Sequence, residues 1–369
     1  MSNHKRELPW EIILSSILLL TTMVLLFIDR FDRFDKYELT KSVSSPAFSP
    51  DGGQIVYLAL DYGTGGDQVF LFDRQTSTVT KLTNLKNKYP NSVIFSLDGN
   101  SIIFTLGEDD YIDQAVRPQD DGVYVIDIES KQTRKLANIR QIHNPIHILD
   151  GTMIAVTDWQ GDSVFIVNVK TGEIRELAKL HNGDADNPKI SQDGKTIAYE
   201  VNGQIFVVDE GALQSPHPIT LSSKATTLEK TFFAISPKGD LIAFGEEFRG
   251  PFDLGAYCAD QVFIVNVKTG DKTRLTKFYD YGISQLVFSP DGNTIAFSAV
   301  KCANGGFAGS HVGIVKLDSS VEEFTDFGIA YVTNIFFSPN GTLFGFTSYG
   351  DPYNENARNA DVYVYKLGK

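Results

Sequence analysis

The chain has 369 residues, 42% hydrophobic and 12% aromatic, with 26 Phe, 15 Tyr and 31 Gly, which suits a large core of strands joined by tight turns. A formal net charge of −13 repels phosphate backbones and argues against a nucleic-acid partner. Two Cys residues exclude a cysteine-rich zinc module and a disulfide scaffold.

Residues 1–9 read as a short tail. Residues 10–28, WEIILSSILLLTTMVLLFI, are apolar apart from Glu11 and a few Ser and Thr. As a helix they would span about 28 Å, close to the hydrocarbon thickness of a bilayer. Trp10 stands where an interfacial aromatic is expected. The run passes into IDRFDRFD with no small-residue cleavage site and no Cys for lipid attachment. The expectation is an uncleaved transmembrane signal-anchor, followed by a juxtamembrane linker at 29–35. Lys5 and Arg6 before it are nearly balanced by Arg30, Arg33 and Lys36 after it. The short leading tail favours a cytoplasmic N-terminus and export of the rest to the periplasm or cell exterior.

From residue 36 onward one phrase recurs: FSPDGGQIVY (48–57), FSLDGNSIIF (95–104), FSPDGNTIAF (288–297) and FSPNGTLFGF (337–346). Aligned on its glycine it occurs seven times, at Gly52, Gly99, Gly151, Gly194, Gly239, Gly292 and Gly341, in steps of 47, 52, 43, 45, 53 and 49 residues. Glycine is the one residue kept throughout, as a turn position with positive φ requires. An alternating run follows each turn. A third run comes next, such as QVFLFD (68–73) or QVFIVNV (261–267), and then a fourth ending in TKLT, RKLA, RELA or TRLT. Four short antiparallel strands per unit, repeated radially, predict an all-β, seven-bladed β-propeller over residues 36–369. The seventh unit supplies only three strands, ending in DVYVYKLGK. The segment KYELTKS (36–42) carries the same Leu-Thr ending as Leu82-Thr83 and Leu275-Thr276, and is expected to close the last blade.

The phrase, seven times in register, resembles the TolB-type, WD-like β-propeller repeat. Blade three, with Ile148 and Val156, and blade four, without a Leu-Thr ending, depart most from it. The resemblance implies a protein-interaction module of envelope complexes. The expected function is therefore a membrane-anchored, extracytoplasmic scaffold for a protein or glycan partner.

The turns between first and second strands are short and uniform, so their face reads as structural. On the other face the second-to-third loops read as long in blades two (107–121), five (246–260), six (300–310) and seven (348–361), with blade one adding 61–67. These blades are contiguous, and long loops are often functional. Aromatic and acidic side chains there make the expected binding surface: Tyr62, Tyr111, Asp113, Phe248, Phe252, Tyr257, Phe307, Tyr349 and Tyr353. The acidic loops also offer oxygen ligands for a structural calcium, without matching the twelve-residue calcium loop. Cys258 and Cys302 fall on this face in adjacent blades, either as a disulfide or as two separate thiols. A rival reading is a metal-dependent lyase or hydrolase of envelope glycans, using His143, His181 and His311 on the same face. No G-x-S-x-G elbow is present, which excludes the propeller-fused peptidases.

Overall fold

A computed structural model describes residues 34–41, 43–107, 120–139, 147–148, 153–157, 163–179, 186–201, 204–209, 217–218, 232–247, 260–277, 281–303, 306–318, 320–329, 331–349 and 359–367. These residues form seven four-stranded antiparallel sheets. In six of them the strands follow one another in chain order. The seventh runs Phe34–Lys41, Asn359–Lys366, Leu343–Tyr349, Tyr331–Phe337. The N-terminal strand thus completes the last blade, pairing Phe34 with Tyr365 and Tyr37 with Val362. It spans 34–41 rather than 36–42, taking up the end of the expected linker. The reason is that Phe34 and Asp35 still find ladder partners on the last strand. First strands of neighbouring blades touch one another around the ring, as Val43–Phe48 does with Pro90–Phe95 and with Tyr331–Phe337, so they surround the axis. The anchor proposed for residues 10–28 lies outside the described residues, among which no helix is long and apolar enough to cross a membrane.

The recurring phrase builds one particular turn. In blade one, the Gly52 amide donates to the Ser49 carbonyl at 2.9 Å and the Gln54 amide donates to Ser49 Oγ at 2.9 Å. Ser49 Oγ in turn donates to Asp51 Oδ1 at 2.6 Å, which also accepts from the Gly53 amide at 2.9 Å. Gly52 has φ +76°. A side chain there would be strained, and its Cβ would come within 2.6 Å of Leu343 in blade seven. The same serine hydroxyl bond to the turn recurs at Ser96, Ser191, Ser236, Ser289 and Ser338. The Leu-Thr ending has an equally local cause. Thr83 Oγ1 accepts from the Val69 amide at 2.9 Å and donates to the buried Gln68 at 3.0 Å, so it ties the fourth strand to the third. Thr276 repeats this with Val262 and Gln261.

The apolar cores lie between blades. Val56, Leu58 and Leu71 of blade one pack with Val93, Ile102 and Phe104 of blade two, and similar clusters join the other pairs. The cluster that joins blade seven to blade one contains Val362 and Val364 together with Phe48, Ile55 and Tyr57. Closure of the ring is therefore a packing event as well as a strand pairing.

The turn carboxylates give the fold a pH dependence. The serine hydroxyls donating to Asp51, Asp98 and Asp291, helped by turn amides, hold these carboxyls below the usual aspartate value. Depressed folded values mean that their stabilisation is present above the ordinary pKa of 3.8 and is lost as pH falls through the lower folded values. The thermal midpoint is expected to drop steeply below about pH 4. A Ser49→Ala/Ser96→Ala/Ser289→Ala variant should start less stable near neutrality and lose less on acidification. Equal acid-induced losses in the two proteins, measured by thermal melts, would place the effect elsewhere.

Candidate functional site

The second-to-third connections are less uniform in length than their sequences suggest. In blade one the strands Gln54–Asp61 and Gly66–Asp73 pair to their ends, leaving a four-residue turn rather than a long loop. Asp61 organises it. Its carbonyl accepts from the Thr64 and Gly65 amides at 3.0 and 3.1 Å, its Oδ1 accepts from Gly63 at 2.9 Å, and Lys81 pairs with its other oxygen. Tyr89 Oη donates to the Gly65 carbonyl at 2.8 Å, and the Asn87 amide donates to the Thr64 carbonyl. Tyr62 rides on this fixed turn, 73% exposed. In blade six the expected loop is instead a hairpin: Thr294–Ala303 and Gly306–Lys316 continue their ladder, with Cys302 opposite Phe307. Residues 300–303 and 306–310 extend both strands, so the connection is shorter than the long loop expected from the sequence.

Of the expected binding residues, Phe307 and Tyr349 stand on strands at the long-loop end of blades six and seven. Tyr111, Asp113, Phe248, Phe252, Tyr257 and Tyr353 lie outside the described residues, as does Cys258. His311 does not belong to a loop-face cluster. It sits mid-strand opposite Ala299, 1% exposed, with its ring edge-on to Tyr281 at 4.9 Å. His143 and His181 lie outside the described residues, and among the described ones no three His, Cys, Asp or Glu side chains gather as a metal site. Near the loop end of blade two, Lys88 pairs with Asp120 at 3.1 Å, and Tyr124 Oη donates to the Asp120 carbonyl at 2.6 Å.

The opposite face carries a feature that sequence reasoning passed over. A cavity of about 430 Å³ opens at the axis among the turns of blades four to seven. Gln192, Pro237, Pro290 and Pro339, each the second residue of its turn, form the mouth. First-strand residues form the wall, Phe233, Leu286 and Phe337 among them, together with a single cation, Lys189.

Register shows how unusual that lysine is. Lys189 pairs with Ala198 in the ladder position that Ala47, Ile94, Ala234, Val287 and Phe336 occupy in blades one, two, five, six and seven. Ala47, Ile94, Val287 and Phe336 pack there against the next blade. Blade three has His147 at this position, opposite Ala155. Lys189 is half-buried and is one of the residues that line the cavity. Burial alone pushes its ammonium below the usual lysine value, and no ion pair or hydrogen bond meets it among the described residues. The signal was present in the sequence. Five residues before each turn glycine stand Ala47, Ile94, Ile146, Lys189, Ala234, Val287 and Phe336, an apolar column that Lys189 alone interrupts.

Comparison with known proteins agrees with this architecture. Residues 29–256 match the TolB beta propeller domain. The Tol-Pal system protein TolB of Francisella tularensis subsp. mediasiatica is 30% identical over 261 residues, which cover 67% of this chain and 56% of that protein. The protein of the same name from F. tularensis subsp. holarctica is 25% identical over 272 residues, with the same coverage. The match thus spans little more than half the length of these relatives. Among solved structures, an oligogalacturonate lyase in complex with manganese aligns over 91% of this chain and 98% of its own, with a TM-score of 0.62 and 13% identity. An oligogalacturonate lyase from Vibrio parahaemolyticus covers 91% of this chain and 97% of its own, also at 0.62, with 14% identity. At such identity the likeness is one of fold.

Proposed function

This chain belongs to the TolB β-propeller family, and from that premise we propose that it is a membrane-anchored, extracytoplasmic binding scaffold whose long-loop face meets a protein partner in the cell envelope. One observation carries the reading. Tyr62 is a large, exposed aromatic held on a turn with its backbone groups tied down, so it can be buried by a partner at little ordering cost. In this reading Tyr111, Asp113, Tyr349 and Tyr353 of blades two and seven, with Phe248, Phe252, Tyr257 and Phe307 of blades five and six, extend the surface that Tyr62 begins. A Cys258–Cys302 bridge would brace blades five and six there, and free-thiol titration without reductant tests it. Two reactive thiols would refute the bridge.

The geometry of entry supports the orientation. The N-terminal strand starts at Phe34 beside Tyr365, on the turn face. Residues 29–33 reach at most about 18 Å, so a helix at 10–28 would hold the turn face towards the bilayer and leave the loop face free. The rival enzyme reading draws on the lyase neighbours, but they share the fold alone. A glycan ligand or a calcium ion in the acidic loops would fit the same face.

Photo-crosslinking residues placed at Tyr62, Tyr257 and Tyr353 in intact cells should each yield the same adduct, while Asn293 and Lys195 beside the turns should not. Adducts from the turn positions alone would reverse the assignment of faces.

A further inference from the structure

The axial cavity on the turn face has no part in the function just proposed, yet it is built like a ligand site. Pockets for small molecules are concave, mostly apolar, and carry a few placed polar groups. This one has apolar walls from four blades and one cation. Packing does not account for that cation. Five other blades place an apolar side chain at the same register, and a methionine or leucine would fill the position without burying charge. An ammonium half-buried against apolar walls keeps only part of its water, and an anion delivered to it gains a charge-assisted contact there.

We propose that the cavity binds a small apolar molecule bearing a single carboxylate, an acyl-chain acid, with Lys189 taking the carboxylate and Phe233, Leu286 and Phe337 covering the chain. A monoanion matches the one cation in the wall, whereas a phosphate dianion would leave a second charge buried without a counterpart. The turn aspartates at the mouth do not compete for Lys189. Asp193 and Asp291 are held by their own turns, accepting from Ser191 Oγ at 2.6 Å and Ser289 Oγ at 2.5 Å.

Decanoate and decanol are the probes, titrated calorimetrically into the full chain in detergent below the probes' own micelle-forming concentrations. Wild type should bind decanoate at least about tenfold more tightly than decanol, as a charge-assisted contact predicts. Lys189→Met should erase that preference while melting at the same temperature as wild type or higher, because it replaces a half-buried charge with an apolar side chain of similar length. Lys189→Arg should keep the preference. Gln192→Trp, at an exposed position of the mouth, should weaken both probes by obstructing entry without unfolding the protein. Equal affinity of wild type for the two probes, or no binding of decanoate, overturns the proposal. So does a preference that survives Lys189→Met, or unchanged binding in Gln192→Trp. If Lys189→Met fails to fold, the wild-type comparison and Gln192→Trp still decide.

Discussion

Deleting residues 1–41 should destabilise the whole propeller, whereas deleting residues 1–33 should leave its melting transition unchanged. The strand Phe34–Lys41 is the outer edge of blade seven, and its pairings from Phe34↔Tyr365 to Lys41↔Asn359 bind the two ends of the ring. Its side chains also reach blade one. Tyr37 packs edge-on to Phe72 at 4.9 Å, and Arg74 lies 5.6 Å from the Tyr37 ring while bonding Asp35 at 3.2 Å. Lys36 pairs with Asp361 at 3.0 Å within blade seven. Ladder hydrogen bonds at about 1 kcal/mol each, plus the partly buried Tyr37, put the loss on the order of 5 kcal/mol. Domains are stable by only about 5–15 kcal/mol, so such a loss is a large fraction of the total. The longer deletion also bares the edge of Asn359–Lys366, and self-association should follow. Equal melting temperatures for the two truncations would show that closure rests on the blade cores alone.

Phe104→Ala should cost about 3–5 kcal/mol, the range for emptying a fully buried aromatic site. Phe104 has no exposed surface and stacks on Tyr124 at 5.2 Å. It lies in the cluster shared by blades one and two, so the cavity would open at a blade interface. Interfaces are what make the ring cooperative, and the loss should appear as one shifted transition in denaturant rather than as melting of blade two alone. Tyr62→Ala, at an exposed site, should stay within about 0.5 kcal/mol of wild type. A Phe104→Ala cost below about 1 kcal/mol would mean that the two blades close over the gap.

The fold was legible because each blade repeats a turn that tolerates little variation. Ser, Asp or Asn, and Gly each serve the same hydrogen bonds in turn after turn, so their spacing counts the blades. The Leu-Thr ending was legible for the same reason, and it identified the N-terminal strand as the closing one. Strand ends were harder. Residues 300–310 carry Gly, Asn and Lys, yet they continue a hairpin, because the ladder partner decides whether such residues pair. Blade six hides another departure. Blades one, two, four, five and seven set two aromatics opposite each other, as Tyr57 with Phe70 or Phe346 with Tyr363, but Phe297 faces Gly313. A Cβ on Gly313 would lie 2.2 Å from the Phe297 ring, so one ring takes the room of two. The axial cavity was illegible from motifs, since none describes it. Only comparison of one register position across seven blades exposes Lys189.

The closing strand also decides how the molecule yields to force. Phe34 and Tyr365 are opposite one another at one end of an antiparallel pair. A pull on residue 34 against residue 367 therefore loads that end first and opens the ladder one rung at a time, from Phe34↔Tyr365 towards Lys41↔Asn359. Peeling of this kind needs far less tension than sliding two strands past each other, where all rungs resist together. Tension drawn between a tether before residue 34 and the last strand would unzip blade seven before any other. Tension drawn between that tether and a body gripping blades three or four would instead pass through the blade interfaces, where the same strand is held by its packing on blade one.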